Sequence, residues 1–209
     1  LSSPLTQPAN NASEDVDPVR VRLLKSAIEL FGRKGYAATS VNDIVSAANV
    51  TKPNLYYYFT SKAGIYYAIL NKLFSELDVI LDRAAQQTGS SRERLTDLCG
   101  EIYQHFMDNL DAARMIYLVY FGAPQGSPDF DFDACRLKHH KLVEEIIRTG
   151  IQEGEIKPGN THEMMMAVVG LMHTAMELEL CHSGPRLGRE GLTHVLNLLF
   201  DGLSATTKK

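Results

Sequence analysis

The stretch Thr51-Lys52-Pro53-Asn54-Leu55-Tyr56-Tyr57-Tyr58-Phe59 constrains this chain more than any other. Three consecutive tyrosines, a lysine and an amide side chain are an odd load for one short helix. A core helix carries more aliphatics, and a solvent helix fewer aromatics. Leu55 and Phe59 stand four apart, on one helical face, and read as the core anchors. Lys52, Asn54, Tyr56 and Tyr57 then spread over the rest of the cylinder. Lysine and tyrosine supply phosphate contacts, and asparagine can pair with a base edge. The bland alternative is a tyrosine-rich surface helix, and the neighbouring residues weigh against it.

The charge distribution agrees with a nucleic-acid partner once it is divided. The whole chain of 209 residues carries a formal −4. Between Pro18 and Gly64, however, stand seven basic residues (Arg20, Arg22, Lys25, Arg33, Lys34, Lys52, Lys62) against Glu29 and Asp43, a balance of +5 that leaves −9 for the rest. A basic head on an acidic body stays soluble while one end is drawn to phosphate. Hydrophobic content of 44% with 22% charged residues is ordinary for a globular protein. No apolar run reads as long enough for a membrane span, and the first residues lack the basic-then-apolar pattern of a signal segment. Three widely spaced cysteines, Cys99, Cys135 and Cys181, make no disulfide framework. The expected setting is a reducing cytoplasm, with no membrane partner.

Helical periodicity runs through the chain, with no strand pattern of any length. Leu1 to Asp17 is polar, with Pro4 and Pro8, and reads as a flexible arm. Asp17-Pro18 opens a first helix on Val21, Leu24, Ile28 and Phe31, ended by Gly32 and Gly35. Ser40 to Asp43 caps a second, which runs to about Ala47. Ala48-Asn49-Val50 turns the chain, and Thr51 opens the third. Ser61 starts a long fourth helix reaching Gln86 or Gln87. Leu95 to Phe106 marks a fifth, Met115 to Phe121 a sixth, and Phe132 to Gln152 a seventh. The segment Gly122 to Asp129 holds two glycines and two prolines and reads as a loop. Thr161–Cys181 and Arg189–Ser204 are the last two.

The run from Arg20 to Lys62 resembles the DNA-binding half of the tetracycline-repressor (TetR) family of bacterial transcription regulators. The resemblance is carried by Ala27, Leu30-Phe31, Gly35-Tyr36, Thr39, Ile44, Ala47-Ala48, Val50-Thr51, Leu55-Tyr56, Phe59 and Ser61-Lys62. It implies an all-α fold, with an N-terminal three-helix helix-turn-helix domain joined to a larger helical ligand-binding and dimerisation domain. The expected division is an arm over 1–17, a DNA-binding domain over 18–64 and an effector-binding and dimerisation domain over 65–209. The DNA-contacting residues expected from it are Thr39, Ser40, Thr51, Lys52, Pro53, Asn54, Tyr56, Tyr57 and Lys62. Tyr56 and Lys62 match family positions that hold phosphate, whereas Lys52 and Asn54, in the first turn, stand where base edges are read. This sequence has Asn49 where most of the family has glycine, a mild change because asparagine tolerates the left-handed conformation. Pro53 also replaces a frequent glycine, which removes an N–H and leaves base preference open.

In the family the last two helices pair with their two-fold mates. The apolar faces Val168-Leu171-Ala175-Leu178 and Leu192-Val195-Leu199-Leu203 are the expected homodimer surface, with Ala167, Gly170 and Ala175 permitting close approach. Met164, Met165, Met166, Met172 and Met176 on the first of these helices read as core or dimer packing. A ligand pocket is expected from the middle helices, at His105, Phe106, Tyr117, Tyr120, Phe121 and Leu137, with His173; an ordinary aromatic core is the alternative for each. His139 and His140 are adjacent and point apart, and His173 with Glu177 lacks a metal-binding motif, so no metal is expected. No phosphate loop, nucleophile elbow or nucleophile–base grouping is present, and no enzyme activity and no cofactor are expected. The expected function is a palindrome-binding transcriptional regulator, a repressor released by a small apolar or aromatic effector. The competing expectation is a helical enzyme or ligand carrier with a degenerate DNA-binding head.

Overall fold

The computed structural model describes residues 17–121, 126–181 and 186–203, all in helices and their connections. The expected arm, apart from Asp17, lies outside the described residues, as does the first half of the expected Gly122–Asp129 loop. The helices are α1 (Pro18–Lys34), α2 (Val41–Ala47), α3 (Lys52–Phe59), α4 (Lys62–Ala85), α5 (Ser91–Asp108), α6 (Leu110–Phe121), α7 (Phe132–Gln152), α8 (Thr161–Cys181) and α9 (Gly188–Leu203).

Local chemistry sets the boundaries. Asp17 caps α1 by accepting from the Val19 N–H, with Pro18 in the first turn where no N–H is needed. Ser40 and Asp43 cap α2 reciprocally, and Ser90 with Glu93 does the same for α5. The Asp43 carboxyl is held down to about 2 by the Ser40 N–H first and by Lys34 and the Ser40 hydroxyl after it. Asn49, at φ 52°, makes the left-handed turn between α2 and α3, and Thr60, at φ 59°, ends α3 in the same conformation. Gly64 is obligatory at the start of α4, because a Cβ there would lie 1.8 Å from the Phe59 carbonyl oxygen.

One continuous hydrophobic core holds the helices together, from Leu23, Phe31, Ile44 and Leu55 through Ile65, Leu70 and Leu81 to Ile102, Ile146, Val168 and Leu196. Gly32 does not end α1 as expected. It lies inside the helix, where a Cβ would stand 3.0 Å from the Asp111 carbonyl oxygen, so its missing side chain lets α6 seat against α1. Tyr66 of α4 packs edge-on against Phe31 and Tyr36, which puts the first turns of α4 with α1 beyond the expected boundary at Gly64. At the other end, Lys138 of α7 bridges Asp78 and Asp82 of α4, and Arg83 pairs with Glu101 of α5.

Two expectations about α8 and α9 are corrected. Val168, Ala175 and Leu192 are buried in the chain's own core rather than offered to a second copy. The apolar residues left outside are Met166, Leu178 and Leu198, with Ala167 and Gly170 beside Met166 on the exposed stripe of α8. Nor is it true that no apolar run reaches the length of a membrane span. α8, with a mean hydropathy of 1.3 over its most apolar window, is long and apolar enough by those two criteria alone. One third of that window is buried against the chain's own core.

Candidate nucleic-acid interface and ligand cavity

The face that α3 turns outward is narrower than the sequence suggests. Leu55 and Phe59 are buried, as their spacing requires, and Lys52, Pro53, Tyr56, Tyr57 and Thr60 are exposed. Lys52 with Tyr56, and Pro53 with Tyr57, form two adjacent rows one helical turn apart. Tyr57 is 81% exposed, an unusual position for an aromatic ring with no partner surface to cover it. The third tyrosine is turned sideways. The Tyr58 hydroxyl donates to the Asp17 carboxylate, lowering the Asp17 pKa and raising its own to about 12, so α3 is tied to the N-cap residue of α1.

Several of the expected DNA contacts have structural employment. Asn54 Oδ1 accepts from both the backbone N–H of Thr51 (3.1 Å) and its hydroxyl (2.7 Å). Both lone pairs of that oxygen are used, so a bidentate pairing with adenine would have to break the cap of α3. Thr39 is 1% exposed and its hydroxyl donates to the Gly35 carbonyl at 2.8 Å, which withdraws it from any outer surface. Lys62 donates to the carbonyls of Tyr36 (2.9 Å) and Thr39 (2.8 Å), with its ammonium 4.0 Å from the centre of the Tyr36 ring. Partial burial lowers its pKa. One N–H is left for a phosphate, and the main work of Lys62 is to bind the α1–α2 corner to α4. Ser40 and Thr51 remain exposed, Ser40 as the cap of α2.

A cavity of about 380 Å³ lies between α4, α5, α6, α7 and α8. Of the expected ligand-binding residues, Phe106, Tyr117, Tyr120 and His173 line it. His105 does not: its Nε2 lies 3.0 Å from the Leu73 carbonyl oxygen and its ring packs on Phe106, directed at α4. Leu137 is 48% exposed on the outside of α7, and the Phe121 side chain lies outside the described residues. The walls that sequence reading missed are Phe74 and Leu77 of α4, Ile116 of α6, Phe132, Cys135, Arg136 and His139 of α7, and Met172, Met176 and Glu177 of α8. His139 and Cys135 were detectable, since they stand four apart on one face of α7 with Phe132 one turn before. Burial pushes the His139 imidazole down to about 3, and His140 and His173 are lowered by the same cause. Among the described residues no three His, Cys, Asp or Glu side chains gather as a metal site.

A larger open groove of about 1210 Å³ runs between α1, α4 and the start of α6, with Arg20, Lys25 and Lys72 facing Glu29, Glu76 and Asp111. Its mixed charges and width suit solvent, and the smaller apolar cavity is the better ligand site.

Residues 23–69 match the family described as bacterial regulatory proteins, tetR family. The chain is 29% identical over 158 residues to the HTH-type transcriptional repressor KstR2 of Mycolicibacterium smegmatis, covering 73% of this chain and 71% of that protein. It is 29% identical over 98 residues to YttP of Bacillus subtilis, a match that spans 46% of this chain and about half (47%) of YttP. Among solved structures, the TetR family transcriptional regulator PfmR from Thermus thermophilus superimposes with a TM-score of 0.72 at 25% identity, over 88% of this chain and 99% of that one.

Proposed function

Since the chain belongs to the TetR family of transcriptional regulators, we propose that it is a homodimeric repressor that leaves a palindromic operator when a small apolar or aromatic molecule fills the α4–α8 cavity. The observation that carries this reading is the outer face of α3. Lys52, Pro53, Tyr56 and Tyr57 are exposed together on a basic head, at the second helix of a helix-turn-helix, the element that enters the major groove. Lys52 is the base reader of that face and Tyr56 and Tyr57 hold the backbone. Half-sites are expected about one helical turn, roughly 34 Å, or a multiple of it, apart. KstR2 is named a repressor, in keeping with this reading. Such a protein works in the cytoplasm, beside its DNA. A helical enzyme or carrier with a degenerate head would not keep so exposed an aromatic and basic face.

The cavity has walls from both α4 and α6. α4 begins at the head, and α6 seats on α1, so an occupant can favour one separation of the two heads over another. Its effect is limited to its differential affinity for the two states. A gel shift with the DNA beside its own gene tests the reading. Binding should fall steeply with salt, with a slope in log K against log salt of about −0.9 per neutralised phosphate. No retardation at low salt, or a salt-independent one, would overturn it.

A further inference from the structure

Among the described residues that line the cavity, His139 has a buried polar atom without a partner. His139 lines it from α7 and is 7% exposed, and its Nε2 is buried with no hydrogen bond. Arg136, Tyr120 and Tyr117, in the same wall, are engaged. Arg136 donates to Asp133 at 3.0 Å and is hydrogen bonded to Tyr120, and Tyr117 stands against Glu177. A buried polar atom left unpaired destabilises a fold, and native structures show few of them, usually with a reason. A molecule that fills the cavity and meets Nε2 removes that cost on binding.

The rest of the lining decides what kind of molecule this is. Phe74, Phe106, Ile116 and Met172 offer no hydrogen bonds, so the greater part of the occupant is apolar. The two ionised side chains of the wall, Arg136 and Glu177, are of opposite sign, and Arg136 already has its carboxylate. An anionic ligand would be desolvated against a neutral imidazole and face Glu177, and a cation would be drawn to Glu177 rather than to the His139 nitrogen. A neutral imidazole nitrogen donates or accepts according to tautomer, and a hydroxyl can answer either, a carbonyl the donating form.

Building on the reading of this cavity as the effector site, we propose that the effector is an apolar molecule bearing one uncharged hydrogen-bonding group, a hydroxyl or a keto, ester or thioester carbonyl, and that this group docks on His139 Nε2. The imidazole then selects among apolar molecules that the walls alone would accept alike.

The test is calorimetric titration of the purified full chain with four probes of one skeleton: naphthalene, naphthol, acetylnaphthalene and naphthoate. Naphthol and acetylnaphthalene are expected to bind about three- to tenfold tighter than naphthalene, the span of one neutral hydrogen bond, and naphthoate weakest. His139→Leu should abolish the advantage of the two polar probes while keeping naphthalene affinity, which reports that the cavity is intact. His139→Gln, which retains a donor and an acceptor, should keep part of that advantage. Should the leucine variant fail to fold, His139→Phe replaces it with the same expectation. Equal affinities for the neutral probes in the wild type, tightest binding of naphthoate, or a polar preference that survives removal of His139 would overturn the inference while the cavity remains an effector site. Binding of none of the four would overturn the cavity reading, and this inference with it.

Discussion

Asn54 shows how a residue's chemistry can be spent before function reaches it. Its type and position in α3 suggest a base reader, and its carbonyl oxygen is committed to both donors of Thr51. Asn54→Ala should therefore cost about 1 kcal/mol of stability through the lost cap and weaken operator and scrambled DNA alike. Lys52→Ala should instead cost about 1–3 kcal/mol on the operator and relax preference at one base pair. Thermal melts and paired binding assays separate the two; an Asn54 variant that loses operator binding alone would restore it as a reader. His139 gives a prediction in pH. Its folded pKa, about 3, lies below the ordinary value of 6.5, so the native state favours the neutral ring. That contribution is complete above pH 6.5 and is lost as pH falls from there toward 3, with His140 and His173 adding in the same direction. Denaturant titrations should show stability falling over this window, and a shallower fall in His139→Leu. An unchanged slope would mean that the ring is charged when folded. Side-chain type was legible in the sequence, as in the exposed Tyr56 and Tyr57. Whether a polar atom is already bonded was not, because Thr51–Asn54 and Lys62–Tyr36 depend on geometry that spacing does not encode.

Helices declared themselves where end signals and periodicity agree. α7 and α8 were expected over the spans they occupy, bounded by Asp131, Gly154 and Asn160. α6 begins at Leu110, five residues before the expected Met115, because Asn109 closes α5 on the Phe106 carbonyl and the next helix follows with no glycine or proline between. The outward face of α8 was misread at Val168 and Ala175, though not at Leu178, for a different reason. Apolar residues lie on both sides of it, and hydrophobicity cannot tell a chain's own core from a partner's. Between helices, Tyr103 of α5 donates to Glu179 of α8 at 2.6 Å, and the same carboxylate accepts from the Gly188 N–H at the start of α9. Glu179 is 6% exposed, and these donors with nearby Arg186 hold its pKa down against burial. Tyr103→Phe should leave that carboxylate a donor short and cost about 1–3 kcal/mol in denaturant unfolding. A loss below a few tenths of a kcal/mol would show that water replaces the hydroxyl.

At the scale of the molecule, the exposed stripe Met166, Ala167, Gly170 and Leu178 is the surface on which a second copy is expected. A Cβ on Gly170 meets nothing within 4 Å, so Gly170→Arg has room in the single chain. It should leave helicity and melting of the monomer intact while turning a dimer into a monomer by sedimentation, the charge appearing twice across a two-fold axis. A stable dimer in this variant would place the interface elsewhere. Lys62 has a mechanical consequence as well. Its two bonds to the α1–α2 corner, with Tyr66 wedged on Phe31 and Tyr36, clamp the first turns of α4 to the head. In the proposed effector response α4 would act as a lever whose handle is the cavity: Phe74 lies twelve residues along from Lys62, about 18 Å at 1.5 Å per residue. Lys62→Met would slacken the grip, so the head would still meet DNA while the handle turned without moving it.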